Sequence, residues 1–194
     1  MPLVASIRIG LALLLLVVSR PAMPQEPKIS PSPLPTVGTI APDFTLPDAN
    51  TGKKRSPREF SQAKRPVALF FFCGCRACQT VAQEWAKYQS GNALPGNAAT
   101  MIVYSTTDRD EAKSRIAASG LDPKRTAVLC DTEALTVTER LYHAEPCPRI
   151  FVIDRLGKIA HASVKVDATE PEPSESVAAF LAASALDALR GSAP

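Results

Sequence analysis

The string ALFFFCGCRACQTVAQEW, residues 68–85, constrains this chain more than any other. A continuous apolar run, PVALFFF (66–72), passes directly into three cysteines within six residues and then into a helical pattern. Uninterrupted apolar runs mark strands buried on both faces, as in parallel sheets. In residues 76–90, Cys78, Val81, Trp85 and Tyr88 fall on one helical face. Cys75 and Cys78 form C-x-x-C at the start of that helix, three apart and therefore on one face. The first helical turn has unpaired N–H groups and the positive end of the helix dipole, and both stabilise a thiolate at Cys75. Arg76 adds a nearby positive charge. A thiolate is the attacking species in disulfide exchange, and a neighbouring thiol releases the mixed disulfide. Cys75 is therefore the expected nucleophile and Cys78 the resolving thiol. Trp85 and Phe70, Phe71 and Phe72 are read as core.

The rest of the body alternates strand and helix signals. DFTL (43–46) and KKRSP (53–57) are short strand candidates around a turn at Asn50 to Gly52, and residues 57–63 make a helical turn. Strands are expected at 99–105 and 126–130. A polar helix over 108–119 ends at Gly120. A further helix over 132–143 takes Thr132 as its N-cap. Two strands, 149–154 and 158–164, form a hairpin through Arg155, Leu156 and Gly157, and residues 175–190 form a closing amphipathic helix. This order implies βαβ units and a mostly parallel sheet with an antiparallel edge.

The N-terminus reads as a leader. Arg8 precedes the apolar run of residues 9–18, followed by small residues and prolines. That is a secretory signal pattern over 1–24, and a short uncleaved membrane anchor is the alternative. The run falls short of the roughly 20 apolar residues of a spanning helix. No cysteine follows it, so a lipid-modified cysteine at the cleavage point is excluded. On either reading the body faces an extracytoplasmic space, periplasmic or secreted, where disulfides persist. Proline-rich residues 25–36 read as a semi-rigid linker, and residues 37–191 as the domain. The net charge of +3 is largely a leader effect, since setting aside Arg8 and Arg20 leaves 20 basic against 19 acidic residues. A nucleic-acid partner is not expected.

Alternatives to redox chemistry at C-x-x-C are a structural disulfide or half a zinc site. A zinc site would bring a second ligand pair, and none follows downstream. No cofactor is expected. His143 and His161 are read as surface residues, Lys53, Lys54, Arg55 and Arg58 as a solvated face, and Cys130 as a small core residue. Glu84 is either a proton acceptor for Cys78 or a surface ion-pair partner.

Four stretches resemble the redoxin branch of the thioredoxin-like superfamily. That branch joins the alkyl hydroperoxide reductase and thiol-specific antioxidant class to membrane-tethered thioredoxin-like reductases. The stretches are VGTIAPDFTLPDANTGK (37–53), RPVALFFFCGCRAC (65–78), TAVLCDTE (126–133) and PCPRIFVIDRLGKI (146–159). The resemblance implies an α/β, thioredoxin-like fold with a central mixed sheet flanked by helices and an N-terminal β-hairpin extension. It implies that Pro148 is a cis proline beside the C-x-x-C, exposing the backbone of Cys147 to a substrate strand. It also implies that Cys73, Cys75, Cys78 and Cys147 converge. Three readings of Cys73 and Cys147 stay open: inert or auxiliary thiols, a relay that resolves mixed disulfides, or a soft-metal or iron–sulfur site. The chain departs from the branch in three places. Cys73-Gly74 replaces the tryptophan before the motif, and Cys147 replaces the usual threonine before the cis proline. Phe70 and Phe72 stand where peroxiredoxins carry a threonine three residues before the peroxidatic cysteine, which weighs against peroxide chemistry. A fold-sharing copper-delivery family uses C-x-x-x-C and a distant histidine, a poor match to C-x-C-x-x-C, although His143 lies near the proline loop. The main expectation is a thiol–disulfide oxidoreductase acting on protein disulfides and recharged by a membrane or thioredoxin-type electron donor.

Overall fold

A computed structural model describes residues 33–165 and 175–192. The expected leader, and linker residues up to 32, lie outside the described residues. The elements are β1 (Leu46–Pro47), β2 (Lys54–Arg55), α1 (Pro57–Gln62), β3 (Val67–Phe72), α2 (Arg76–Ser90), β4 (Ala99–Tyr104), α3 (Arg109–Ser119), β5 (Thr126–Cys130), β6 (Arg149–Ile153), β7 (Ile159–Ala162) and α4 (Glu175–Gly191). A π-helical segment, Thr136–Leu141, lies between β5 and β6. β1 and β2 pair antiparallel as a small N-terminal hairpin.

The main sheet has the order β5-β4-β3-β6-β7. β3 runs parallel to β4, and β4 to β5. β6 is antiparallel to both β3 and β7. The sheet is therefore mixed. Its antiparallel pairing reaches the central strand, and does not stop at the edge as the strand order in sequence suggests. The apolar run of β3 explains its central place: successive side chains alternate faces, so both faces must be covered. Ala68, Phe70 and Phe72 point into a core shared with α2, α3 and α4. Val67, Leu69 and Phe71 point into a second core with Phe44, Phe60 of α1, Tyr142 and Phe151. Trp85 packs on Phe70 with ring centroids 5.0 Å apart.

Three local expectations are corrected. The first strand is not 43–46 but Leu46–Pro47, after which Asp48 turns the chain by accepting from the N–H groups of Asn50 and Thr51. The segment after β5 is not a regular helix capped by Thr132. The Thr132 hydroxyl accepts from the N–H of Thr136, at 3.3 Å, and buried Asp131 takes the larger share, accepting from the backbone N–H groups of Thr132, Val137 and Thr138 and from the Thr138 hydroxyl. β-branched Thr136, Val137 and Thr138 favour a regular helix weakly, and the chain settles into the wider π turn. His161 is also half-buried, with its Nε2 shielded from solvent beside Arg149.

Gln89 of α2 is a buried polar group that the apolar pattern did not single out. Its amide donates to the hydroxyls of Thr100 (3.3 Å) and Thr126 (3.0 Å), and its Oε1 accepts from the N–H of Asp122 at 3.0 Å. The indole of Trp85 donates to the same Thr100 hydroxyl at 3.0 Å. This network ties the helix to β4 and β5 inside the core. Gln89→Leu keeps the volume but leaves those groups unsatisfied. It is expected to lower the urea-unfolding free energy by about 1–3 kcal/mol with an unchanged slope.

Candidate redox site

The site sits where β3 ends and α2 begins. In the antiparallel pairing of β3 with β6, Phe71 lies opposite Arg149. Each residue further along β3 meets one residue earlier than β6, so the same register carried two residues on sets Cys73 opposite Cys147. Their Cα atoms are 6.3 Å apart and the two cysteines are joined as a disulfide across 74 residues of sequence. Cys73 is thus exposed and bonded, not a buried free thiol. The Cys147–Pro148 peptide bond is cis, as is Glu145–Pro146.

Between Cys73 and Cys75 the chain must turn sharply into α2. Gly74 makes that turn at φ +87°, in the left-handed region that favours glycine. Arg115 of α3 closes over it: its guanidinium donates to the Gly74 carbonyl and would lie 1.5 Å from a Cβ placed there. Arg115 is held in turn by Glu111, one helical turn earlier, and Glu111 accepts from the Thr106 hydroxyl at 2.8 Å. The guanidinium beside Glu111 holds its carboxyl below the usual carboxylate range. From the sequence, α3 reads only as a polar helix. The i, i+4 spacing of Glu111 and Arg115 was legible there, but not the loop that Arg115 reaches.

Cys75 is the N-cap residue of α2 and is exposed, whereas Cys78 is buried. The Cys75 and Cys78 sulfurs are hydrogen-bonded at 3.5 Å, and the Cys73 and Cys78 sulfurs are 4.0 Å apart. All four sulfurs, of Cys73, Cys75, Cys78 and Cys147, lie within 4.8 Å of one another. The hydrogen bond from Cys78 lowers the pKa of Cys75 to about 6, against the opposing effect of partial burial. Backbone groups of Cys78, Ala77 and Cys75 add to the lowering, as expected at a helix start. Arg76, exposed at the first position of α2, is not among these leading causes. Cys78 moves the other way, far above the ordinary thiol value, through its bond to Cys75, burial and the charge of the Cys75 thiolate. One thiol is thus poised as an exposed anion and the other as a protonated, buried neighbour.

The remaining candidates lie apart from this chemistry. Cys130 is a buried free thiol at the end of β5, with its pKa raised by burial. Glu84 pairs with Lys87 at 2.6 Å, the ion-pair alternative of the two read from sequence. Among the described residues no helix is long and apolar enough to cross a membrane. The four-sulfur cluster is also a donor set that suits a soft cation, once the Cys73–Cys147 bond is reduced.

Three outcomes follow from this geometry. The rate of Cys75 alkylation by iodoacetamide, mapped by peptide mass spectrometry, should rise to half its plateau near pH 6 and be nearly flat above about pH 7, because the thiolate reacts and the thiol does not. Cys78 should alkylate last. Gly74→Ala, which forces a Cβ into Arg115 at positive φ, should lower unfolding stability by about 1–3 kcal/mol.

Known proteins place this arrangement in context. The thioredoxin domain of a thiol-disulfide oxidoreductase from Bacteroides vulgatus is similar over 75% of this chain and 98% of that one, with 20% identity and a TM-score of 0.54. A thiol:disulfide interchange protein from Bacteroides sp. is similar over 68% of this chain and 83% of that one, at 20% identity and a TM-score of 0.52. A peroxidoxin from Mycobacterium tuberculosis is similar over 81% of this chain and 97% of that one, at 18% identity and a TM-score of 0.58. These likenesses establish a thioredoxin-like fold. No curated protein matches the chain significantly. The AhpC/TSA family pattern matches residues 37–162, from the exposed approach to the N-terminal hairpin through to the last strand of the sheet, and the chain belongs to the AhpC/TSA family.

Proposed function

We propose that this protein is an exported thiol–disulfide oxidoreductase working through the Cys75/Cys78 dithiol. The observation that carries the reading is an exposed, low-pKa Cys75 at the start of α2 with the buried Cys78 thiol 3.5 Å away. In this mechanism the Cys75 thiolate attacks one sulfur of a substrate disulfide. The substrate bond breaks, its other sulfur leaves as a thiolate, and a mixed disulfide forms on Cys75. Cys78 then loses its proton and attacks the Cys75 sulfur, releasing the reduced substrate and leaving a Cys75–Cys78 disulfide. Cys78 stays protonated until that moment, which keeps it from competing for substrate. Pro148 is buried behind the site, and its cis bond would hold the half-buried Cys147 so that its backbone meets a substrate strand. Arg76, exposed at the helix start, adds positive charge near the incoming substrate.

The substrates are disulfides of other proteins, and a membrane or thioredoxin-type dithiol donor returns the enzyme to its reduced form. The leader pattern around Arg8 and residues 9–18 supports an extracytoplasmic location and a tether through the N-terminus. A second reading, peroxide reduction, draws on family membership. Buried Phe70 and Phe72 disfavour it, because they leave no hydroxyl three residues before Cys73 or Cys75 to orient a peroxide.

The test measures insulin-disulfide reduction and peroxide consumption with one preparation, alongside its bound metal. Wild type should reduce insulin with dithiothreitol as donor, and Cys75→Ser should fall to the rate of the donor alone. Undiminished insulin reduction by Cys75→Ser would overturn the reading. Peroxide turnover far above that of free thiols would favour the second one, and stoichiometric metal would assign the sulfurs to a metal site.

A further inference from the structure

The Cys75/Cys78 exchange leaves the Cys73–Cys147 disulfide without a role, although it touches the dithiol. The Cys73 sulfur is 4.0 Å from that of Cys78, which is itself 3.5 Å from that of Cys75. The sulfurs therefore form a connected path in the order Cys147, Cys73, Cys78, Cys75, with the buried Cys78 at the junction.

We propose that Cys73 and Cys147 form a second dithiol–disulfide couple that recharges Cys75 and Cys78 from within the same chain. The proposal rests on the thiol–disulfide reading above and names the internal donor for that site. An external dithiol first reduces the Cys73–Cys147 bond, supplying two electrons and two protons and leaving as its own disulfide. After substrate turnover the Cys73 thiolate attacks the Cys78 sulfur of the Cys75–Cys78 disulfide. A Cys73–Cys78 bond forms, the Cys75–Cys78 bond breaks and Cys75 leaves as a thiolate. The Cys147 thiolate then attacks Cys73, re-forming Cys73–Cys147 and expelling Cys78, which takes up a proton. Two electrons have moved from one pair to the other. Of the two protons given up by Cys73 and Cys147, one ends on Cys78 and one is released.

Three observations set the direction. Cys75 is the better leaving group of its own pair, because a thiolate held at a low pKa departs readily while the Cys78 pKa is raised. The stabilised Cys75 thiolate also favours the reduced form of its own pair, making that pair the electron acceptor. The β3–β6 register holds Cys73 and Cys147 opposite each other, which favours their bonded form and makes their dithiol the donor. The structure itself holds the end state of this transfer: Cys73–Cys147 bonded, Cys75 and Cys78 free.

The test starts from fully reduced protein freed of reductant. It is given one equivalent of hydroxyethyl disulfide, then alkylated and mapped by mass spectrometry over time. The expected result is a transient Cys75–Cys78 disulfide that converts to Cys73–Cys147, and, in a parallel titration with excess hydroxyethyl disulfide, an uptake of two equivalents. Cys147→Ser should take up one equivalent and keep the disulfide on Cys75–Cys78. The wild-type mapping stands without that variant, should it fail to fold. Oxidation that needs Cys75 but comes to rest on Cys75–Cys78 in wild type overturns the relay alone. Oxidation of Cys75→Ser at the wild-type rate overturns the oxidoreductase reading beneath it.

Discussion

The antiparallel pairing of β3 with β6 is the constraint on which the site depends. It fixes which residue before β6 meets which residue after β3, and so brings Cys147 to Cys73 across 74 residues of sequence. A slip of one residue would turn Phe71 toward the opposite core and separate the two sulfurs. The pairing is enforced from both faces, because β3 is buried along its whole length between two apolar layers. Register, burial and chemistry are therefore set by the same six residues, Val67–Phe72.

From that anchor the remaining geometry is local. Gly74 turns the chain, Arg115 clasps its carbonyl, and α2 follows its N-cap Cys75, whose thiol pKa nearby backbone groups help to lower. The asymmetry between the two thiols follows from depth. The same hydrogen bond lowers Cys75 and raises Cys78, and burial adds to the rise of the inner thiol. An exposed anion backed by a buried acid suits ordered exchange, in which one sulfur meets the substrate and the other closes the cycle.

Much of this was legible in the sequence because it rests on local pattern. The apolar run of β3, the face of α2, the C-x-x-C at the helix start and the family likeness all lie in contiguous strings. What was not legible depends on pairing at a distance. The bond between Cys73 and Cys147 needs the strand register, which no single segment encodes. Arg115 acts through a loop 41 residues away. Asp131 joins Thr132 in capping the segment, the Thr132 hydroxyl accepting from the N–H of Thr136 while the buried Asp131 carboxylate sits where three N–H groups converge, a fact of tertiary packing. Gln89 lies on the buried side of α2 for the same kind of reason, its amide matched to two threonines on other strands.

The central claim, that Cys75 is the sulfur that meets the substrate, is tested most directly by trapping. Cys78→Ala removes the resolving thiol and should arrest the reaction at the mixed disulfide. Offered a disulfide-bonded peptide, that variant should accumulate one adduct per chain, and peptide mapping should place it on Cys75. An adduct carried mainly by Cys73, Cys147 or Cys130, with Cys75 unmodified, would contradict the account.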